Sequence, residues 1–256
     1  MIHRFQHGLV VLLALTGQAA AEPLPAGFVY LRDVDPSIAQ DMRYAGPDNF
    51  TGRPLPGYGA AECVLRREAA EALARVQADL ARRQHGLKVY DCYRPTRAVA
   101  AMARWAQDGK DDGARAAATK RFYPALDKRT LFASGYIAAR SAHSTGSAID
   151  LTLVPLPTPP AAAFDPAARY GACTGPAQTR APDNGLDMGT GFDCFDGKSH
   201  TKSGAISPSE RRARSLLVAA MGARGFKNYF REWWHFTYGA TPARRYDFPI
   251  AERARR

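Results

Sequence analysis

The sequence predicts an α+β fold: a small central, mostly antiparallel sheet flanked by helices. Apolar residues recur at helical spacing in several stretches, and short stretches of strand character stand between them. The two kinds do not alternate in the strand–helix–strand rhythm of a doubly wound sheet. With 256 residues, 46% hydrophobic and 23% charged, the chain has enough apolar material for a sizeable core and does not read as disordered.

The first 21 residues differ from the rest. Arg4 precedes the apolar run Leu9-Val10-Val11-Leu12-Leu13-Ala14-Leu15, and Ala19-Ala20-Ala21 stand before Glu22-Pro23. A charged start, a short apolar stretch and a small-residue cleavage site make a secretory signal peptide. The run falls short of the roughly 20 apolar residues a permanent span needs. The expectation is therefore a signal peptide over 1–21 and one domain over 22–256. Its location is periplasmic or secreted, with no stable membrane insertion.

Residues 22–58, rich in Pro, Gly and Asp, read as an extended lead-in with a loop at 48–54. Over 66–85 the positions Ala69, Ala70, Leu73, Val76 and Leu80 mark a helix, with Gly86 as its stop. Residues 87–92 alternate like a strand, and 97–107 form a second helix entered just after Pro95. A strand over 147–153 follows, then a Pro/Ala-rich loop of low structure over 155–183. The third helix covers 208–224, with Leu216, Leu217, Ala220 and Met221 on one face, and a strand over 234–238 closes the pattern.

The four cysteines, Cys63, Cys92, Cys173 and Cys194, all follow the signal peptide. An even number in an oxidising compartment predicts disulfides. Three connectivities are open; Cys63–Cys92 with Cys173–Cys194 is the simplest, each closing a modest loop. No CxxC spacing occurs, which excludes a zinc ribbon. The net charge of +11 comes from scattered basic residues. It suits weak contact with an anionic cell wall, whereas nucleic-acid binding would call for a concentrated basic stripe with aromatic platforms.

Chemistry concentrates in three motifs. Ser141-Ala142-His143-Ser144-Thr145-Gly146-Ser147-Ala148-Ile149-Asp150 sets a His at the end of a loop and an Asp in the following strand. Glu232-Trp233-Trp234-His235, on the late strand, adds a second imidazole and a carboxylate. Two His and one Asp suit a zinc ion with a fourth position open to water, which leaves Glu232 as a general base. Asp91-Cys92-Tyr93-Arg94-Pro95 ends a strand, where the Arg94 guanidinium can stabilise the oxyanion of a tetrahedral intermediate. Alone, each motif reads as ordinary structure; the conjunction is what points to hydrolysis.

These motifs resemble the zinc site of the D-Ala-D-Ala metallopeptidases. The chain beyond its leader resembles their dipeptidase branch, the VanX-type enzymes. Five stretches bear the likeness in the family's order: DNFTGRPLPGY (48–58), DCYRP (91–95), SAHSTGSAIDLTL (141–153), DMGTGFD (187–193) and EWWHF (232–236). The resemblance implies a zinc site at one face of the sheet, one Zn2+ per chain, held by His143, Asp150 and His235. It implies Glu232 as base and Arg94 as stabiliser of the tetrahedral intermediate. Asp193 would receive the free ammonium of a small D-amino-acid dipeptide, Ser141 would meet its carboxylate, and Tyr44 and Tyr58 would line the pocket. The expected reaction is hydrolysis of D-alanyl-D-alanine to two D-alanines. The alternatives are a D,D- or L,D-carboxypeptidase acting on longer wall peptides and a wall-binding protein without activity. The 155–183 segment exceeds the family pattern, and Cys173 within it, joined to Cys194, would staple a lid over the pocket.

Overall fold

A computed structural model of the chain describes residues 23–108, 113–240 and 244–253. The expected signal peptide, 1–21, lies outside the described residues. Seven strands and five α-helices occur among the described residues. The strands are β1 (Phe28–Tyr30), β2 (Ala39–Gln40), β3 (Val64–Arg66), β4 (His85–Asp91), β5 (Ala148–Pro155), β6 (Phe226–Asn228) and β7 (His235–Tyr238). The helices are α1 (Leu31–Val34), α2 (Arg67–Ala81), α3 (Thr96–Gln107), α4 (Ala114–Thr119) and α5 (Pro208–Gly222).

The fold is α+β. Five strands form one sheet in the order β2-β4-β5-β7-β6, and β1 pairs with β3 in a separate antiparallel ribbon. Within the main sheet only β2–β4 is parallel; β4–β5, β5–β7 and β6–β7 are antiparallel. The apolar stripe read from the sequence faces the core: Ala69, Ala70, Leu73, Val76 and Leu80 of α2 are all buried, and the helix lies against β4 and α5. Helix α5 starts where its chemistry dictates, with Pro208 in its first turn and a reciprocal capping box between Ser207 and Glu210.

The lead-in is more structured than the sequence suggests. Within the stretch expected to be extended lie β1, α1 and β2, and they were invisible because two- and three-residue strands have no period to read. The two disulfides join Cys63 to Cys92 and Cys173 to Cys194.

The 155–183 loop differs from expectation in position. It contributes one short 3-10 turn, Ala177–Thr179, and none of its residues borders the pocket that holds the candidate catalytic groups. It packs instead over the sheet beside that pocket. There Asp183 accepts from Lys88 Nζ at 2.7 Å, Arg43 at 2.9 Å and Tyr90 Oη at 2.7 Å. The reason is charge: buried Arg43 and Lys88 need a counter-ion, and Asp183 at the loop's end supplies one.

Candidate active site

Strand register assembles the site. Asp91 of β4 stands opposite Asp150 of β5, and Asp150 stands opposite His235 of β7, so three chemically active residues form one row across the sheet. A bulge between Val89 and Asp91 interrupts the β4–β5 ladder immediately before this row; such bulges re-aim the side chain that follows. His143 joins the row from a single 3-10 turn, His143–Thr145, directly ahead of β5. Gly146 ends that turn at φ +79, and a Cβ there would stand 2.3 Å from Phe28 Cε1, so only glycine fits.

Three ligand-type atoms converge as a result. His143 Nε2, His235 Nδ1 and Asp150 Oδ1 lie 3.1, 2.9 and 3.2 Å from one another. Donors placed at about 2.0–2.2 Å around a tetrahedral zinc ion stand roughly 3.3–3.6 Å apart, so this triangle needs little adjustment to hold one. The second ring nitrogen of His143 is committed: Nδ1 lies 2.7 Å from the Cys92 carbonyl, which can only accept, so Nδ1 has the proton and Nε2 presents its lone pair. The imidazoles hold Asp150 well below the usual carboxylate range despite its burial. The donor set fits a dication.

Glu232 sits in the turn that leads into β7 rather than on the strand, with its amide bonded to the Tyr229 carbonyl. Its carboxylate stands 3.8 Å from His235 Nδ1, close to the triangle but outside it. Burial, opposed by His235 and reinforced by Asp150, pushes Glu232 up to about 7. Arg94 is fixed by Asp91, which accepts from Nε at 2.9 Å and from the terminal nitrogen at 2.8 Å. The same terminal nitrogen lies 3.5 Å from Asp150, and the guanidinium lies over the Tyr44 ring.

The pocket around these groups has a volume of about 340 Å³, at the small end of ligand sites, roughly 300–1,000 Å³. His143, Asp150, His235, Glu232, Arg94, Asp193, Ser141 and Tyr44 all border it, as do residues 135–138 and 140–142. Asp193 is buried and accepts from Tyr44 Oη at 2.7 Å. Burial, with Asp150 adding to it, pushes Asp193 well above its ordinary range. Ser141 Oγ accepts from the His143 amide at 3.2 Å and so braces the turn as well as bordering the cavity.

Tyr58 is placed differently from the expectation that it lines the pocket. It stands one layer behind, donating to Asp91 Oδ1 at 2.6 Å. Asp91 itself was quoted in its motif without a role. It is fully buried, and it receives Tyr58 and Arg94 while lying 3.3 Å from His143 Nδ1. An Asp in phase with Leu87 and Val89 on a buried strand is the signal that could have singled it out.

Three ligand-type atoms with an adjacent carboxylate and a buried guanidinium are groups that a metal-dependent peptidase could use. A family model described as D-ala-D-ala dipeptidase, of the metal-dependent Peptidase M15 group, matches residues 25–158 and 179–254. The chain belongs to this family. It is 33% identical over 226 residues to a D-alanyl-D-alanine dipeptidase of Enterococcus faecium, covering 88% of this chain and 98% of that one. A Streptomyces coelicolor protein of the same name is 35% identical over 226 residues, with the same coverage. Another from Escherichia coli is 30% identical over 208 residues, covering 81% of this chain and 82% of that protein.

Proposed function

We propose that this chain is a zinc-dependent dipeptidase that hydrolyses free D-alanyl-D-alanine to two D-alanines, acting outside the cytoplasm after removal of an N-terminal leader, as one catalytic domain over 22–256. The observation that bears most weight is the buried carboxylate of Asp193 in the same small pocket as Glu232 and the His143–Asp150–His235 triangle. Its only hydrogen-bond partner described is the Tyr44 hydroxyl. A buried carboxylate so sparsely matched favours a cationic ligand group, and the free ammonium of a dipeptide supplies one.

His143, Asp150 and His235 would hold the zinc ion. A zinc ion held there would supply Lewis acidity toward the scissile carbonyl and the attacking water. Glu232 takes the proton of the attacking water and returns it to the leaving amine. Burial raises its proton affinity, and a bound dication would offset part of that rise, leaving a carboxylate able to take and return a proton. The Arg94 guanidinium, locked by Asp91, donates to the oxyanion as it develops. Asp193 fixes the ammonium, Tyr44 orients Asp193, and Ser141 donates to the substrate carboxylate. Both substrate ends are then held, which sets the scissile bond between Glu232 and Arg94.

Two disulfides and scattered positive charge support an exported enzyme working near an anionic wall. The test is alanine release from D-Ala-D-Ala, N-acetyl-D-Ala-D-Ala and a wall pentapeptide, with and without chelator. The free dipeptide should be preferred at least about a hundredfold, the scale of a lost charge pair. Equal rates on free and blocked substrates would move the chain to the carboxypeptidases, and no release from any would leave a binding role.

A further inference from the structure

We propose that the Cys173–Cys194 disulfide is a positioning device for Asp193, tying the ammonium anchor to a strap of chain that lies outside the family match. The proposal rests on the reading of Asp193 as the ammonium site. Asp193 adopts φ +55, one of two non-glycine residues with positive φ among those described. That left-handed conformation is disfavoured for a side chain with a Cβ, so neighbouring contacts must hold it. Its φ and ψ also decide in which direction the carboxylate leaves the backbone.

The residue immediately after it is Cys194, fully buried and bridged to Cys173. Cys173 falls between the two matched stretches, which end at 158 and resume at 179. The strap around Cys173 is docked independently of its sulfur. The Cys173 amide donates to the Arg121 carbonyl at 2.8 Å, and its carbonyl accepts from the Gly191 amide at 2.9 Å. Lys198 Nζ donates to the Thr174 carbonyl at 2.9 Å. On the far side of the anchor, the Phe195 amide donates to the Phe122 carbonyl at 2.7 Å.

Backbone bonds therefore fix Gly191 and Phe195, while the disulfide adds the covalent link at the position next to Asp193. Opening it should leave the strap docked and the sheet-borne groups untouched, and give the Asp193 backbone room to relax from its left-handed conformation. A carboxylate that swings away binds the ammonium less well, while Glu232, Arg94 and Ser141 keep their places around the seated substrate, so KM should move more than kcat.

The test compares the full chain, zinc-loaded, with the Cys173→Ala/Cys194→Ala variant, each with and without Asp193→Asn. KM for D-Ala-D-Ala should rise about tenfold with kcat within about threefold, zinc content unchanged, and the preference over N-acetyl-D-Ala-D-Ala should shrink in step. Asp193→Asn should cost about tenfold less in kcat/KM without the disulfide than with it, because both changes act on one contact. Unchanged KM and preference, or full additivity with Asp193→Asn, would overturn the proposal. Should the alanine pair not accumulate, wild-type enzyme opened at this bond by a phosphine, with opening counted by alkylation mass, gives the same readouts. Loss of near-UV circular dichroism on that opening assigns the bond to the fold and overturns the proposal as well. Equal rates on free and acetylated dipeptide with both disulfides intact would instead remove the ammonium reading itself.

Discussion

The two walls of the pocket are built on different principles. Asp91, Asp150 and His235 stand in one row across three hydrogen-bonded strands, so the backbone ladder sets their spacing and each side chain has little freedom. Asp193 borders the same pocket from a loop, in a left-handed conformation, steadied by Tyr44 and by chain on either side. A metal site tolerates only small errors in ligand placement, and a sheet supplies that accuracy. Substrate recognition tolerates more, and a loop can be altered without disturbing the strands. The division predicts that changes on the sheet wall act on metal and kcat, whereas changes on the loop wall act on KM.

The largest effect should come from His235→Ala or His143→Ala, which removes one of the three proposed ligand atoms. Zinc content by elemental analysis and activity should fall together. Glu232→Ala separates chemistry from metal binding: kcat should drop about 10²–10⁴-fold, the usual share of a general base, with zinc retained. Zinc falling with activity in that variant would place Glu232 among the ligands.

Asp193→Asn tests the loop wall. It should lower kcat/KM on the free dipeptide about a hundredfold, mostly through KM, and leave zinc content unchanged. A loss confined to kcat would break the proposed division between the walls.

The pH profile follows from the raised position of Glu232. A base must be unprotonated to act, so kcat/KM should rise with pH through the Glu232 titration and fall away on the acid side. Without a cation that titration centres on about 7; a bound dication favours the carboxylate form and moves it lower. The acid limb should disappear from the ratio of metal-loaded Glu232→Gln rates across the same range.

Tyr58→Phe should have the smallest effect on turnover. It removes the 2.6 Å bond to Asp91 from behind the pocket. Stability by denaturant titration should fall about 1–3 kcal/mol, with only a few-fold change in kcat.

The long helices α2, α3 and α5 and the strands β4, β5 and β7 were legible because each has enough residues to show a period. The His143–Asp150–His235 group was legible as residue types in a family's order, and DMGTGFD singled out Asp193, which borders the same pocket. Asp91 was harder to see, since its role depends on a bulge that no local pattern announces. Tyr58 lay in a motif, but sequence could not tell a pocket wall from the layer behind it.

By itself the sequence determined which groups this protein can bring to a reaction: two imidazoles, three carboxylates and a guanidinium. These depend on side-chain chemistry and spacing along the chain. Tertiary structure alone decided that Asp91, Asp150 and His235 share a row and that Tyr58 supports Asp91 from behind. It also decided that the 155–183 loop covers the sheet beside the pocket rather than the pocket itself. Those outcomes rest on strand register and on Arg43 and Lys88 meeting Asp183 across about a hundred residues or more of intervening chain, contacts that no local window of sequence contains.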